Sequence, residues 1–159
     1  MTSETTTNSV EPLTLEEHER EMLAEELQAL IAALPPDRRQ RYEALAATVE
    51  RGVVPPEEID ALAEVLELLL ASGRARHIHR ADGERQLEAL YDRTPAGQTR
   101  SEAQARTNQA LRALVNQPIT SVRVSNSVTG RHTITIATPA LQLTLIADQH
   151  GVRLDKVGM

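Results

Sequence analysis

The chain has 159 residues and a net charge of −6, with no Cys, Trp or Phe and only Tyr42 and Tyr91 as aromatics. The lack of cysteine excludes disulfides, thiolate nucleophiles and zinc–sulfur sites. The lack of aromatics removes the stacking faces on which single-strand nucleic-acid platforms and sugar clefts depend, and leaves Leu, Ile, Val and Ala to build the core through many small contacts.

Residues 1–13 (MTSETTTNSVEPL) are Thr/Ser-rich, with neither a basic start nor an apolar run, so they read as a disordered leader and not as a signal peptide. Residues 14–159 read as one α+β domain, helical over 14–117 and a β-meander over 118–159. A first helix is expected from a capping box of Thr14 and Glu17. Its apolar stripe of Leu23, Leu27, Leu30, Ile31 and Leu34 occupies only the second half, which predicts that the first half projects or frays. Pro35-Pro36 stops it.

A second helix starts near Pro36-Asp37, carries Tyr42, Leu45, Ala46 and Val49 at helical spacing, and ends at Gly52. Pro55-Pro56-Glu57-Glu58 opens a third, with Ile59, Leu62, Val65, Leu66, Leu69 and Leu70 on its face and Leu68 broadening it. This is the widest apolar stripe in the chain and is expected to form the core centre around Leu66 and Leu69. The stretch 74–83 fits strand, loop or helix. Leu87, Leu90 and Tyr91 predict a helix over about 84–93, and a last helix is expected over about 99–116.

Pro118 marks a change of period from helical spacing to strict alternation, as in Val122/Val124, Ile134/Ile136, Leu141/Leu143/Leu145 and Val152/Leu154. Strands are expected at about 119–127, 131–138, 141–147 and 152–157. Turns fall at Thr129-Gly130, Thr138-Pro139-Ala140 and Asp148–Gly151, too short for crossovers, so the sheet is antiparallel. The expected fold class is α+β: four to five N-terminal helices packed on one face of a C-terminal four-stranded antiparallel meander. The covered face would be Val122, Val124, Ile134, Ile136, Leu141, Leu143, Leu145, Val152 and Leu154. The wet face would be Thr-rich, with Ile146 on it. A second arrangement curls the sheet around the helices like a nuclear-transport-factor-like cone.

Charge is unevenly placed: residues 1–70 carry a net −11, residues 71–112 a net +3 and residues 113–159 a net +2. The acidic helices and the Arg-bearing segment are therefore expected to form opposite poles. The candidate anion-binding residues are Arg74, Arg76, Arg80, Arg85 and Arg93, since guanidinium forks suit bidentate anion contacts. His77 and His79 form the best metal-like pair, because residues two apart on an extended segment point the same way. His132, on the inward face of its strand, reads as a core-edge histidine bonded to a backbone carbonyl, and His132 and His150 could approach one another.

No phosphate loop, dinucleotide fingerprint or nucleophile elbow is present. His18-Glu19-Arg20-Glu21-Met22 lacks the second His of a zinc-protease helix. Leu69–Gly73, then ARHIHRADGERQLEALY and Arg93–Gly97, resembles the recognition helix, wing and exit of winged-helix repressors over about a quarter of the chain. The resemblance implies DNA binding. However, the would-be recognition helix bears Glu57, Glu58, Asp60, Glu64 and Glu67 and no Lys or Arg, so those carboxylates would face phosphates. The resemblance is not adopted.

The sequence favours a non-catalytic protein-binding or assembly module acting through a protein partner or self-association, with no cofactor and no metal, in the cytoplasm. The longest apolar runs, such as Leu68–Ala71, are too short to span a bilayer. A second reading is an anion or nucleic-acid binder through the Arg-rich segment 74–112. A third is a small enzyme using His77, His79, His132 and His150 as acid–base groups.

Overall fold

The computed structural model describes residues 11–127 and 130–159. Among them, five α-helices precede a four-stranded antiparallel sheet, an α+β arrangement. The chain divides into two compact units, one up to Gln98 and one from Thr99. No helix of the described residues is long and apolar enough to cross a membrane.

In the first unit, β1 (Leu13–Thr14) pairs antiparallel with β2 (Val53–Val54). Leu13, expected in the disordered leader, is thus tied to a strand and packs against the core. Residues 1–10 of that leader lie outside the described residues. Thr14, being in β1, is not the N-cap of α1 (Glu17–Ala33). The N-cap is Glu16, whose N–H is accepted by the Glu19 carboxylate at 2.8 Å, so the capping pair sits two residues later than its sequence signature. The first half of α1 does not project: Glu19 and Leu23 are both buried.

Helix α2 (Pro36–Arg51) packs against α1, and a 3₁₀ turn at Pro56–Glu58 leads into α3 (Ile59–Ala71). Seven of the thirteen residues of α3 are buried, including Leu62, Val65, Leu66 and Leu69, which makes it the core helix its apolar stripe predicts. Leu68 is the exception. Its spacing suggests a wider apolar face, but it lies 54 % exposed at the margin of the buried stripe. The ambiguous stretch after Gly73 is helical: α4 runs from Arg74 to Asp92, with one non-helical residue at Arg80. The shared aliphatic core gathers Leu15, Leu23, Leu27, Leu45, Leu87 and Leu90 around α3.

Helix α5 (Pro95–Arg112) starts four residues earlier than expected because Thr94 caps it. The Thr94 hydroxyl donates to Tyr91 O at 2.7 Å and accepts from the Gly97 N–H at 3.1 Å. Gly97 is required by this tight entry, since a Cβ there would fall 2.0 Å from the Tyr91 carbonyl oxygen.

In the second unit, β3 (Ser121–Asn126), β4 (His132–Ala137), β5 (Gln142–Asp148) and β6 (Gly151–Gly158) follow one another across the sheet in chain order. Thr129, expected in the first turn, lies outside the described residues. In the second turn the Thr138 hydroxyl donates to Leu141 O and accepts from the Leu141 N–H. The register aligns Val124, Ile134, Leu145 and Leu154 in one cross-strand row, and Val122, Ile136, Leu143 and Val157 in the next. Val157 joins that face because a bulge shifts the β5–β6 register between Thr144 and Leu145.

Burial across the sheet differs from the expected two-face division. Val122, Val124 and Val152, expected under helices, are 57 %, 64 % and 51 % exposed, whereas Ile146, expected on the wet face, is buried. Position across the sheet decides. Every residue of end strand β3 is exposed, while inner strand β5 buries Leu143, Leu145 and Ile146.

Leu66→Ala is expected to cost roughly 2–5 kcal/mol, as for fully buried leucines, and Leu68→Ala under about 1 kcal/mol. Urea titrations giving equal losses would place Leu68 in the core.

The β5–β6 turn supplies a pH-dependent contact. Asp148 accepts the His150 N–H at 3.0 Å and faces Arg153 Nη1 at 2.8 Å. The His150 amide first, opposed by partial burial, and then Arg153 hold the carboxyl below its ordinary value. A carboxyl whose folded pKa is depressed stabilises the fold above its unfolded value and loses that contribution as pH falls through the folded one. Melting curves should therefore show wild type ahead of Asp148→Asn at neutral pH, with the gap closing below about pH 4. A constant gap down to about pH 3 would mean the charge contributes nothing.

Candidate interaction surface

Helix α1 carries two carboxylates on its buried stripe, Glu19 and Glu26, among Leu23 and Leu27. An isolated ionised carboxylate is too costly to bury, so each draws in a cation. Glu26, 1 % exposed, receives Arg74 Nε at 2.5 Å on one oxygen and His79 Nε2 at 3.0 Å on the other. Glu19 receives Arg93 Nη1 at 2.9 Å, and the same guanidinium reaches Thr14 O. The two ends of α4 are thereby fastened to α1, and the charges expected at opposite poles of the molecule instead meet face to face.

The remaining candidate arginines divide differently. Arg76 lies 3.8 Å from Glu84, Arg85 pairs with Asp82, and both are largely exposed. Arg80 is exposed and has no ion pair among the described residues. The five arginines therefore present no common guanidinium face. Four meet carboxylates, and two of those four are committed to α1.

The histidines are likewise dispersed. His77 and His79 do not point the same way, because the segment is helical and two residues on a helix diverge. His79 turns inward to Glu26 and His77 is exposed. His132 is exposed and bonds Asn126 Oδ1 at 2.9 Å, so it is not the carbonyl-bonded core residue expected. His150 contacts its neighbour Gln149. Among the described residues no group of three or more His, Cys, Asp or Glu could hold a metal ion.

A small groove of about 200 Å³ opens between α1 and α3, lined by Leu30, Ala33, Val65, Leu68 and Ser72 with Arg74 and Glu26 at one side. Both Glu26 oxygens are already engaged, so the groove offers no free acid or base.

His79 owes its inward aim to a break in α4. Arg80 has φ 61° and ψ −172°, a combination open to glycine and costly for other residues. The break brings His79 so close to Gly83 that a Cβ on Gly83 would lie 2.2 Å from the His79 Cβ. The two sites should respond to substitution with opposite sign: Arg80→Gly raising stability by about 1 kcal/mol, and Gly83→Ala lowering it by about 1–3 kcal/mol. If chemical denaturation shows Arg80→Gly to be destabilising, the strained backbone is not what holds His79 in place.

The second unit offers another kind of surface, made of backbone. On its outer edge β6 is met by α5 at one point: the Leu154 N–H, which points away from β5, donates to the Thr107 hydroxyl at 2.9 Å, and that hydroxyl donates onward to Ala103 O, while Val152 and Val157 of the same strand stay about half exposed. The opposite edge is open. The Ser127 N–H donates to Arg131 O, so by antiparallel alternation the odd residues of β3 bond to β4. The N–H and C=O groups of Val122, Val124 and Asn126 therefore point outward, where no strand follows among the described residues. The side chains of Val122 and Val124 stand more than half exposed beside them. No protein-family profile, curated protein or solved structure matches this chain.

Sequence reasoning finds the alternation of 121–126 but not its openness, because strand spacing does not tell which edge a helix will cover. It also misses Glu19 and Glu26. Their signal is present: acids standing on the same helical stripe as Leu23 and Leu27.

Proposed function

We propose that this protein is a non-catalytic binding or assembly module that takes another polypeptide strand along the outer edge of β3. The carrying observation is the outer edge of β3, which is exposed at every residue and leaves outward backbone groups beside Val122 and Val124, whereas the β6 edge is met by Thr107 at Leu154. Unpaired edge groups flanked by apolar side chains are the chemistry of strand addition, in which backbone hydrogen bonds supply affinity and alternate side chains supply selection. The engagement of Arg74 and Arg93 by buried carboxylates weighs against the anion-binding reading, since polyanion affinity grows with the number of free cations.

The test is to capture tagged full-length chain from its source cell beside Val124→Glu. The substitution is at a site 64 % exposed and should change stability by under about 0.5 kcal/mol. Wild type is expected to retain a polypeptide, a second copy included, that Val124→Glu loses. Retention of the same polypeptides by both forms, or recovery of nucleic acid alone, would reject the reading.

A further inference from the structure

We infer that the strand taken up by β3 is β3 of a second copy of this chain, in a two-fold antiparallel pair centred on Val124. This rests on the strand-addition reading above and deepens it by naming the partner.

The register follows from three constraints together with the length of β3, since a centre at Ser125 would leave Ser121 and Val122 beyond the partner's strand. A two-fold axis through a continuous sheet keeps apolar faces together only when paired residue numbers sum to an even value, because a one-residue slip turns every side chain to the other face. Centring on Arg123 would set two guanidinium groups directly opposite one another, and like charges in that position are destabilising. Centring on Val122 would bring Pro118 opposite Asn126, and Pro118 has no N–H to donate.

Centring on Val124 avoids both faults. Val124 then faces Val124 of the second copy, Val122 faces Asn126, and Arg123 faces Ser125. These valine and asparagine positions are also the ones whose N–H and C=O groups point outward, so each pair can exchange two hydrogen bonds. Strand β3 is used over its whole observed length, Ser121–Asn126. The half-exposed rows led by Val122 and Val124 become the middle of a joined apolar face, with each copy contributing its four strands. Pairing β3 with β3 is isologous and uses up that edge in both copies, so the assembly closes at two copies.

The chain has no cysteine, so single-cysteine variants report the register directly. In the proposed pair the Val124 Cα atoms would lie about 5.5 Å apart, within disulfide reach. Two Val122 positions would be about 13 Å apart along the strands. Purified full-length chain should sediment at twice its 17.5 kDa mass. Val124→Glu should sediment at the single-chain mass with an unchanged far-ultraviolet circular dichroism spectrum. Mild oxidation should convert Val124→Cys, and not Val122→Cys, into a covalent dimer.

A wild type that stays at the single-chain mass to about 100 μM would overturn the inference. So would a dimer that survives Val124→Glu, or one that cross-links through Val122→Cys. If the purified chain is monomeric while wild type captures a different polypeptide that Val124→Glu loses, the second copy is rejected and strand addition stands. If no polypeptide depends on Val124, both fail.

Discussion

Two carboxylates buried on one stripe of α1 set the arrangement of the helical unit. Glu19 and Glu26 are seven residues apart, two turns of helix, so they face the same way as Leu23 and Leu27. Neither can enter an aliphatic interior alone, and the cations that accompany them come from opposite ends of α4, Arg74 with His79 and Arg93. Helix α4 has few apolar contacts of its own to fix its rotation and height. Leu87, Leu90 and Tyr91 bury its second half, while its first half offers only Ala75. The ion pairs supply the missing register. Such a pair adds little net stability compared with well-packed apolar residues, but losing one partner leaves a costly buried charge, which penalises any alternative docking of α4.

This explains why the Arg-bearing segment looks available in the sequence. A run of arginines next to a neutral turn reads as a solvated or anion-binding face. Only the tertiary partner shows that Arg74 and Arg93 are paired with the carboxylates of α1. The apolar stripe of α3 is legible because leucines recurring at three- and four-residue steps mark a helix face whatever packs against it. The strands of the meander are legible for the same reason, since alternation and short turns are local. Local too is the signal for Thr94 as a cap, a Thr before Pro95, although the same residues also fit the end of a turn. The break at Arg80 is not legible at all. Nothing in the residue itself asks for positive φ, and the neighbour it accompanies, His79, is held by Glu26 of α1.

The sheet unit is limited differently. Its residues alternate as cleanly in β3 as in β5, yet β3 is exposed throughout and β5 buries three large aliphatics. Alternation tells which residues share a face, and coverage depends on what lies over each strand. The same holds at the edges: one hydroxyl, Thr107, meets the backbone of β6 at Leu154, and a single Thr within a polar helix carries no visible sign of that duty.

The spacing of the ion pairs along the chain bears on the order in which the molecule folds. The Arg74, His79 and Arg93 contacts close loops of 48, 53 and 74 residues, whereas each hairpin of the sheet joins neighbouring strands. Closing a long loop is entropically expensive, and a partly solvated ion pair is too weak to lead it. The pairs therefore form after apolar collapse has brought α1 and α4 together, on the native side of the folding barrier. Contacts formed that late leave the folding rate nearly untouched and act on the rate of escape from the native state. Glu19 and Glu26 thus govern how long the molecule stays folded more than how fast it gets there.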